Sequence, residues 1–370
     1  MNKDKEFKER LELDINNCIN CKKCFKNCPM MKKFGDSPKE IMIGLMANKI
    51  NEADIAYSCM LCDLCTKKCP KNIDLKSTFY ELRKQVKQNS NKSLKDKNYN
   101  VVRFHQRNSF SPIFSKSSSL KNSKAMFLPG CSLSSYDKNI VSKSYEYLKQ
   151  YYKDISITFN CCGKPTLAMG DINRFEKYYS KLDEIIEKNN IEEIIVACPN
   201  CYNTIGKHSK NIKITSIYEV ISKNGIPKDL ENHYKNIDIA VHDSCSVRRQ
   251  SNIHDSIRNI LNSLGVNIIE FKNNRENTVC CGAGGMVGVT NRSLALEQMK
   301  NRGNETSCNN IVCYCESCCE SLLNSNKNVL HILDLLFNEN VIDKNVFTQN
   351  KVSTINKWKM RYKTVGIVKK

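Results

Sequence analysis

No apolar run in this sequence is long enough to cross a bilayer, and residues 1–14, MNKDKEFKERLELD, hold no apolar core of the kind an export signal carries. A disulfide-stapled secreted protein is therefore not expected, since such chains are short and exported. No P-loop or zinc-protease motif is present, nor a helix-turn-helix cue, zinc-finger spacing or RNP-like aromatic motif. Acidic residues are the scarcer sign, 38 Asp+Glu against 58 Lys+Arg, for a formal net charge of +20. The basic residues are scattered rather than grouped, so nucleic acid is not the expected partner. Their excess would instead steer an anionic partner towards the protein. What the chain has in abundance is cysteine: 21 in 370 residues. In a reducing compartment, cysteine used this heavily holds metal, and the expected location is the cytoplasm with at most peripheral membrane contact.

Composition divides the chain. Residues 1–88 carry eight cysteines in two identically spaced groups. Residues 89–123 are rich in Ser, Lys and Asn and read as a linker, with Phe104, Phe110, Ile113 and Phe114 expected to pack on a domain. From 124 to 340, apolar strand-like runs alternate with helical patterns, the signature of α/β layers. This region repeats itself. Cys131, Cys161-Cys162 and Cys198-x-x-Cys201 recur as Cys245, Cys280-Cys281 and Cys315-x-x-Cys318, with spacings that agree to within a few residues. Glycine follows each pair (Gly163, Gly282). Duplication implies two similar sites, in repeats at 124–236 and 237–340, before a basic tail at 341–370. Ala125–Leu128 and Ile239–His242, Ile155–Phe159 and Val266–Phe271, and Ile194–Ala197 and Ile311–Tyr314 are the expected strands. The cysteines thus fall where strands end and helices begin, the usual binding edge of an open α/β sheet.

The N-terminal groups are Cys18-x-x-Cys21-x-x-Cys24-x-x-x-Cys28-Pro29 and Cys59-x-x-Cys62-x-x-Cys65-x-x-x-Cys69-Pro70. Both match the bacterial ferredoxin run, in which three close thiolates cap one [4Fe–4S] cube and the fourth reaches the other. The expected sets are Cys18, Cys21, Cys24 and Cys69, and Cys59, Cys62, Cys65 and Cys28. Structural zinc is the rival, but two Cys-x-x-Cys knuckles satisfy zinc and would leave surplus thiols here. Ser37-Pro38-Lys39-Glu40 reads as a helix-opening capping box, and Leu75, Phe79, Leu82 and Val86 as one helix face. The module is therefore expected to be an α-helical ferredoxin.

Five cysteines per repeat are too many for an ordinary cube. Adjacent cysteines point apart on an extended chain, so both reach one site only if the backbone bends, which Gly163 and Gly282 permit. Spacing alone leads to a multi-thiolate metal site. The Cys-Cys-Gly arrangement resembles the domain family typified by heterodisulfide reductase, and the whole layout looks like the D-type component of that enzyme. It also resembles iron–sulfur subunits of anaerobic glycerol-phosphate dehydrogenase and glycolate oxidase. The resemblance covers all but the linker and the tail, and it implies an α+β multidomain chain: an α-helical ferredoxin module followed by duplicated α/β Cys-Cys-Gly domains. It further implies two noncubane [4Fe–4S] clusters, one held by Cys131, Cys161, Cys162, Cys198 and Cys201, the other by Cys245, Cys280, Cys281, Cys315 and Cys318. At Ser244 relatives usually carry Pro.

The activity implied is reduction of a small disulfide by electrons that enter at the cubes. The alternative is a non-catalytic subunit linking a flavin dehydrogenase to a quinone or other acceptor. A ferredoxin, a flavoprotein or an electron-transfer flavoprotein would be the redox partner. Cys308, Cys313 and Cys319 fall opposite ordinary positions of the first repeat and read as packing residues. Gly282-Ala283-Gly284-Gly285 lacks the third glycine of a dinucleotide fingerprint and reads as a close backbone approach to a cluster. His242 and Lys164 read as structural and surface residues, and Trp358, within KWKMRYK, as part of a charged, partly ordered tail.

Overall fold

The computed structural model describes residues 2–89, 94, 97–118 and 123–368. The chain forms two compact units that do not follow it in order. One comprises Met1–Phe104, Pro165–Phe175 and Val279–Arg302; the other comprises His105–Lys164, Glu176–Thr278 and Gly303–Lys370. The first unit thus takes two short segments from the repeat region, including the second Cys-Cys-Gly.

Among its described residues the first unit is helical. Its helices include Asn2–Asn17, Pro38–Met46 and Leu75–Asn89. Ser37 caps the second of these by accepting the Glu40 amide, while the Glu40 carboxylate accepts the amide of Asp36 rather than that of Ser37. Leu75, Phe79, Leu82 and Val86 are all buried, as their spacing predicts. Phe79 and Leu82 join Met30, Met31, Ile41 and Ile55 in a core that also takes in Val287, Leu294 and Ala295.

The second unit holds two four-stranded parallel sheets. Strands β1 (Ala125–Leu128), β2 (Ser156–Ile157), β3 (Glu193–Val196) and β4 (Lys213–Ser216) lie in the order β2-β1-β3-β4. Strands β5 (Asp238–His242), β6 (Asn267–Glu270), β7 (Asn310–Cys313) and β8 (Asn328–His331) repeat that order as β6-β5-β7-β8. The register is equally regular: Phe127 pairs with Ile195, and Val241 with Val312. All pairings within the sheets are parallel, so helices must make the crossovers. One of them, Ser251–Ser263, buries Ile253, Ile257, Ile260 and Leu261, and the chain leaves it through Gly265 in the left-handed region. A single core runs through both sheets, from Phe127 and Ile195 to Val241, Val312 and Leu335.

The tail is more ordered than its composition suggests. Thr354–Val365 is a helix capped by Ser353, with Arg361, Thr364 and Val365 buried and Trp358 packed on His105 and Phe114. Within the linker, Tyr99–Ser109 is helical and Phe110 is buried against Tyr178, whereas Phe104 and Ile113 are exposed. The linker expected at 89–123 is described only in part, since 90–93, 95–96 and 119–122 lie outside the described residues.

A buried ion network fixes the turn before Cys245. Arg258 clasps Asp243 through two hydrogen bonds of 2.6 and 2.8 Å and holds Glu270 at 2.8 Å. Burial alone would raise the Asp243 pKa, but the Arg258 guanidinium holds it below the usual carboxylate value. Asp243 also accepts the Arg275 amide, and its carbonyl accepts from Thr278. Arg258→Met would leave a buried carboxylate without its cation. It is expected to cost about 3–5 kcal/mol, read as a lowered denaturant midpoint under anaerobic conditions. A loss within roughly 0.5 kcal/mol, the size of an ordinary surface change, would show that the network does not hold this turn.

Candidate metal centres

The two ferredoxin-type loops share an unusual backbone. Asn20 and Lys22 in the first, and Leu61 and Asp63 in the second, stand at matching positions and all have positive φ, between 52° and 68°. A branched leucine in the left-handed region costs on the order of 1–3 kcal/mol and persists only where surroundings over-determine it. Its effect here is to wind each loop inward so that its cysteines face a common centre. Cys18, Cys21, Cys24 and Cys69 line one hollow of about 390 Å³. Cys28, Cys59, Cys62 and Cys65 line a second of about 530 Å³, whose wall Cys24 also reaches. The helix that opens at Pro29 and the turn at Pro70 carry each fourth cysteine away from its own loop.

Backbone amides already point at these sulfurs: Leu61 N–H donates to Cys59 Sγ and Ile73 N–H to Cys69 Sγ, each at 3.4 Å. Burial and neighbouring thiols push Cys24 up to about 11. Burial does the same at Cys59, with Arg83 pulling against it. Thiols gathered in this way stay protonated until a metal displaces the protons. The chemistry of the donor set therefore fits iron–sulfur clusters at both hollows.

In the first repeat, Cys131 follows β1 and Cys198 follows β3, the two central strands, where the strand order reverses. That is the switch point at which open α/β sheets bind ligands. Gly130, at φ +88°, precedes Cys131, and a Cβ there would stand 2.8 Å from the Cys198 Cβ. No other residue would allow the two strand ends so close. Gly163, at φ +71°, turns the chain after the pair and donates its N–H to Cys161 Sγ at 3.4 Å.

Five sulfurs meet as a consequence. Cys131 contacts Cys161, Cys161 contacts Cys162, Cys162 contacts Cys201, and Cys201 contacts Cys198. Hydrogen bonds from Cys161 and Cys201 bring Cys162 down to about 5. Cys198 is lowered by the thiols of Cys201 and Cys315. Gln106, fully buried, donates to Cys161 Sγ at 3.5 Å, a contact that the sequence does not signal.

The second repeat copies the local features. Cys245 follows β5 and Cys315 follows β7, while Gly282 at φ +93° donates its N–H to Cys280 Sγ at 3.2 Å. Its cysteines are divided, Cys280 and Cys281 falling in the first unit and Cys245, Cys315 and Cys318 in the second. Cys280 lies 3.7 Å from Met60 Sδ and lines the hollow of Cys28, Cys59, Cys62 and Cys65. The glycine-rich loop after it presses on the same backbone: a Cβ on Gly284 would stand 2.3 Å from the Met60 carbonyl oxygen, and one on Gly285 2.4 Å from that of Cys59.

Within the second unit the repeats meet through Tyr218, whose hydroxyl bonds the carbonyls of Ala197 and Tyr314, the residues just before Cys198 and Cys315. Cys313 and Cys319 are buried in contact with each other, and the partly buried Cys308 donates to the Asp238 and Asn310 carbonyls. His242 ends β5 with its ring edge-on to Phe271, and Lys164 opens the helix Lys164–Ala168, half-buried.

Residues 14–73 match the 4Fe-4S dicluster domain, and 125–206 and 239–323 each match the Cysteine-rich domain. The chain belongs to the heterodisulfide reductase-like iron–sulfur proteins. It is 26% identical to an uncharacterised iron–sulfur protein of Methanococcus maripaludis, over 93% of this chain and 73% of that one. The D-type component of the dihydromethanophenazine:CoB–CoM heterodisulfide reductase of Methanosarcina acetivorans is 21% identical over 78% of this chain and 83% of its own length. The EtfAB:quinone oxidoreductase of Syntrophomonas wolfei matches a shorter stretch, 28% identical over 34% of this chain and 18% of that one. No helix among the described residues is long and apolar enough to cross a membrane. The protein is thus an iron–sulfur electron-transfer protein by kinship, its clusters implied by both domain types.

The crossed arrangement of Cys28 and Cys69 is directly testable. Cys28→Ser is expected to remove or convert the cluster of the Cys59 loop and leave that of the Cys18 loop, with up to about four irons lost. Cys69→Ser is expected to do the reverse. Low-temperature electron paramagnetic resonance of each variant distinguishes this from loss in the variant's own loop.

Proposed function

We propose that the protein takes electrons singly at its N-terminal cubane pair and delivers them to clusters in the Cys-Cys-Gly repeats, where a small disulfide is reduced. The observation that carries this is the position of Cys280. It belongs by sequence to a Cys-Cys-Gly set yet lines the hollow of Cys28, Cys59, Cys62 and Cys65. The last cubane ligands and the first Cys-Cys-Gly thiol therefore share one wall, with only Met60 sulfur packed against Cys280.

Four-iron clusters bound at these thiols supply one-electron storage and transfer. The residues do the rest. Cys131, Cys161, Cys162, Cys198 and Cys201 are proposed to hold one five-thiolate cluster at the switch point of the first sheet. The matching set Cys245, Cys280, Cys281, Cys315 and Cys318 is proposed to hold the other on its sequence match to the first. Gly130 and Gly163 bring the first set's thiols into reach, and Gln106 holds Cys161 in a dry interior. Cleaving a disulfide breaks one S–S bond and consumes two electrons and two protons, so two storage sites beside a one-electron wire suit the reaction. The heterodisulfide reductase relative supports the assignment through the substrate in its name. The net positive charge suits an acidic flavoprotein or ferredoxin as donor, and an anionic disulfide as substrate.

A second reading is favoured by the match to EtfAB:quinone oxidoreductase: a relay between a flavoprotein and a quinone or other acceptor. The experiment that divides them is oxidation of a reduced dye by the anaerobically purified protein with a panel of low-molecular-weight disulfides. Iron of about 16 per chain, with similar sulfide, is expected. Turnover that falls at least tenfold in Cys162→Ser, while the cubane resonance signals persist, supports the reductase. No turnover on any disulfide, with tight flavoprotein binding, supports the relay.

A further inference from the structure

Two arginines sit where a charge should not be left alone. Arg83, on the helix Leu75–Asn89, is 0% exposed, and Arg361, on the helix Thr354–Val365, is 1% exposed. Neither has a carboxylate within ion-pairing distance among the described residues. Each is instead lodged in a cage of main-chain carbonyls.

Arg83 donates to Ala56 at 2.8 Å, Ala168 at 2.6 Å, Gly285 at 2.7 Å and Cys59 at 2.6 Å. Arg361 donates to Phe114 at 3.2 Å and Phe159 at 3.1 Å, with longer contacts of 3.5 Å to Ser109 and Cys131. In both cages one carbonyl belongs to a cysteine of a metal-ligating set. Neutral carbonyls satisfy the donors but not the charge, and a buried charge requires a counter-charge. At these two places the anion available is a thiolate-ligated cluster.

We propose that Arg83 and Arg361 are the fixed counter-cations of two clusters, Arg83 for the one held by Cys59, Cys62, Cys65 and Cys28, Arg361 for the one held by Cys131, Cys161, Cys162, Cys198 and Cys201, and that each raises the reduction potential of its cluster. Adding an electron makes a cluster more negative, so a nearby fixed positive charge in a poorly screened interior favours the reduced state. The neighbouring groups register that charge. Arg83 opposes the effect of burial on Cys59. Arg361 does likewise at Cys131, and it adds to burial in bringing the His105 imidazole down to about 4. The C-terminal helix, on this account, is part of the first repeat's redox machinery. A guanidinium is suited to this use because it stays charged at any working pH and presents five donors to separate carbonyls.

The inference rests on the cluster assignment above, and the test separates the two. Redox titrations of the holoprotein at pH 7, followed by electron paramagnetic resonance, give the ratio of reduced to oxidised cluster at each ambient potential. Arg83→Gln is expected to lower that ratio at least tenfold, 59 mV for a one-electron couple, at the Cys59-side cube alone. Arg361→Gln is expected to do so at the Cys131-set cluster alone. The charge-keeping Arg83→Lys and Arg361→Lys should stay within threefold of the parent. Ratios unchanged in the Gln variants, or shifted as far in the Lys variants, would overturn the proposal while leaving the clusters in place. Should a Gln variant fail to load iron, its Lys counterpart decides: a tenfold displacement there overturns the proposal. A parent protein without iron or sulfide overturns the cluster assignment itself.

Discussion

Neighbouring residues on an extended chain send their side chains to opposite sides, so two adjacent cysteines converge on one centre only where the backbone turns back on itself. Much of the structure follows from meeting that constraint twice. Gly163 and Gly282 take positive φ directly after their pairs, and each returns an N–H to the sulfur of the first cysteine. The remaining ligands must then come from elsewhere in the fold, and a parallel sheet supplies them. Strands that leave the centre in opposite directions open a gap at their carboxyl ends, and Cys131 and Cys198 stand on its two sides. The same order in the second sheet sets Cys245 and Cys315 at equivalent ends.

The cysteines make most of this legible in the sequence, because ligand spacing is local and duplication is visible as a pattern. Helix faces such as Leu75, Phe79, Leu82 and Val86 are legible for the same reason. The strands β4 and β8 are not: Lys213–Ser216 and Asn328–His331 are short edge strands, and residues such as Lys213 and Asn328 give no apolar run to find. Gly130 gives no signal either, because its role lies in a contact with Cys198, far along the chain. The charge of the tail suggests only partial order, yet charge says nothing about whether an arginine's donors meet carbonyls or water. Those of Arg361 meet carbonyls, and its helix is docked by that and by Trp358. The membership of 165–175 and 279–302 in the N-terminal unit is also beyond the sequence, since it depends on packing such as that of Val287 and Leu294 in a core otherwise built from the N-terminal helices.

Charge has a further part in how the ligand loops are held. A loop that winds around a cluster turns its amides inward and must place residues other than glycine in left-handed conformations, as at Asn20, Lys22, Leu61 and Asp63. Such a loop is under tension without its metal, and thiols pressed together raise one another's pKa, as at Cys24 and Cys65. Metal binding relieves the second penalty and sustains the first. That coupling makes folding of the N-terminal unit and cluster loading one event rather than two.

The repeats share their ligands but not their surroundings, and the difference follows from what packs against each pair. Cys161 receives a hydrogen bond from Gln106, on the linker helix, in a polar but buried setting. Cys280 meets the soft sulfur of Met60 and the wall of a cubane hollow. A gene duplication yields two equal sites, yet only one copy of the pair can lie beside the second ferredoxin loop. Gly284 and Gly285 allow that approach, because any side chain there would collide with the carbonyls of Met60 and Cys59. The first repeat has no such glycines after Gly163, where Lys164 and Pro165 begin a helix instead. The asymmetry is thus written in the residues that follow each Cys-Cys-Gly, and it gives the two copies different tasks on one scaffold.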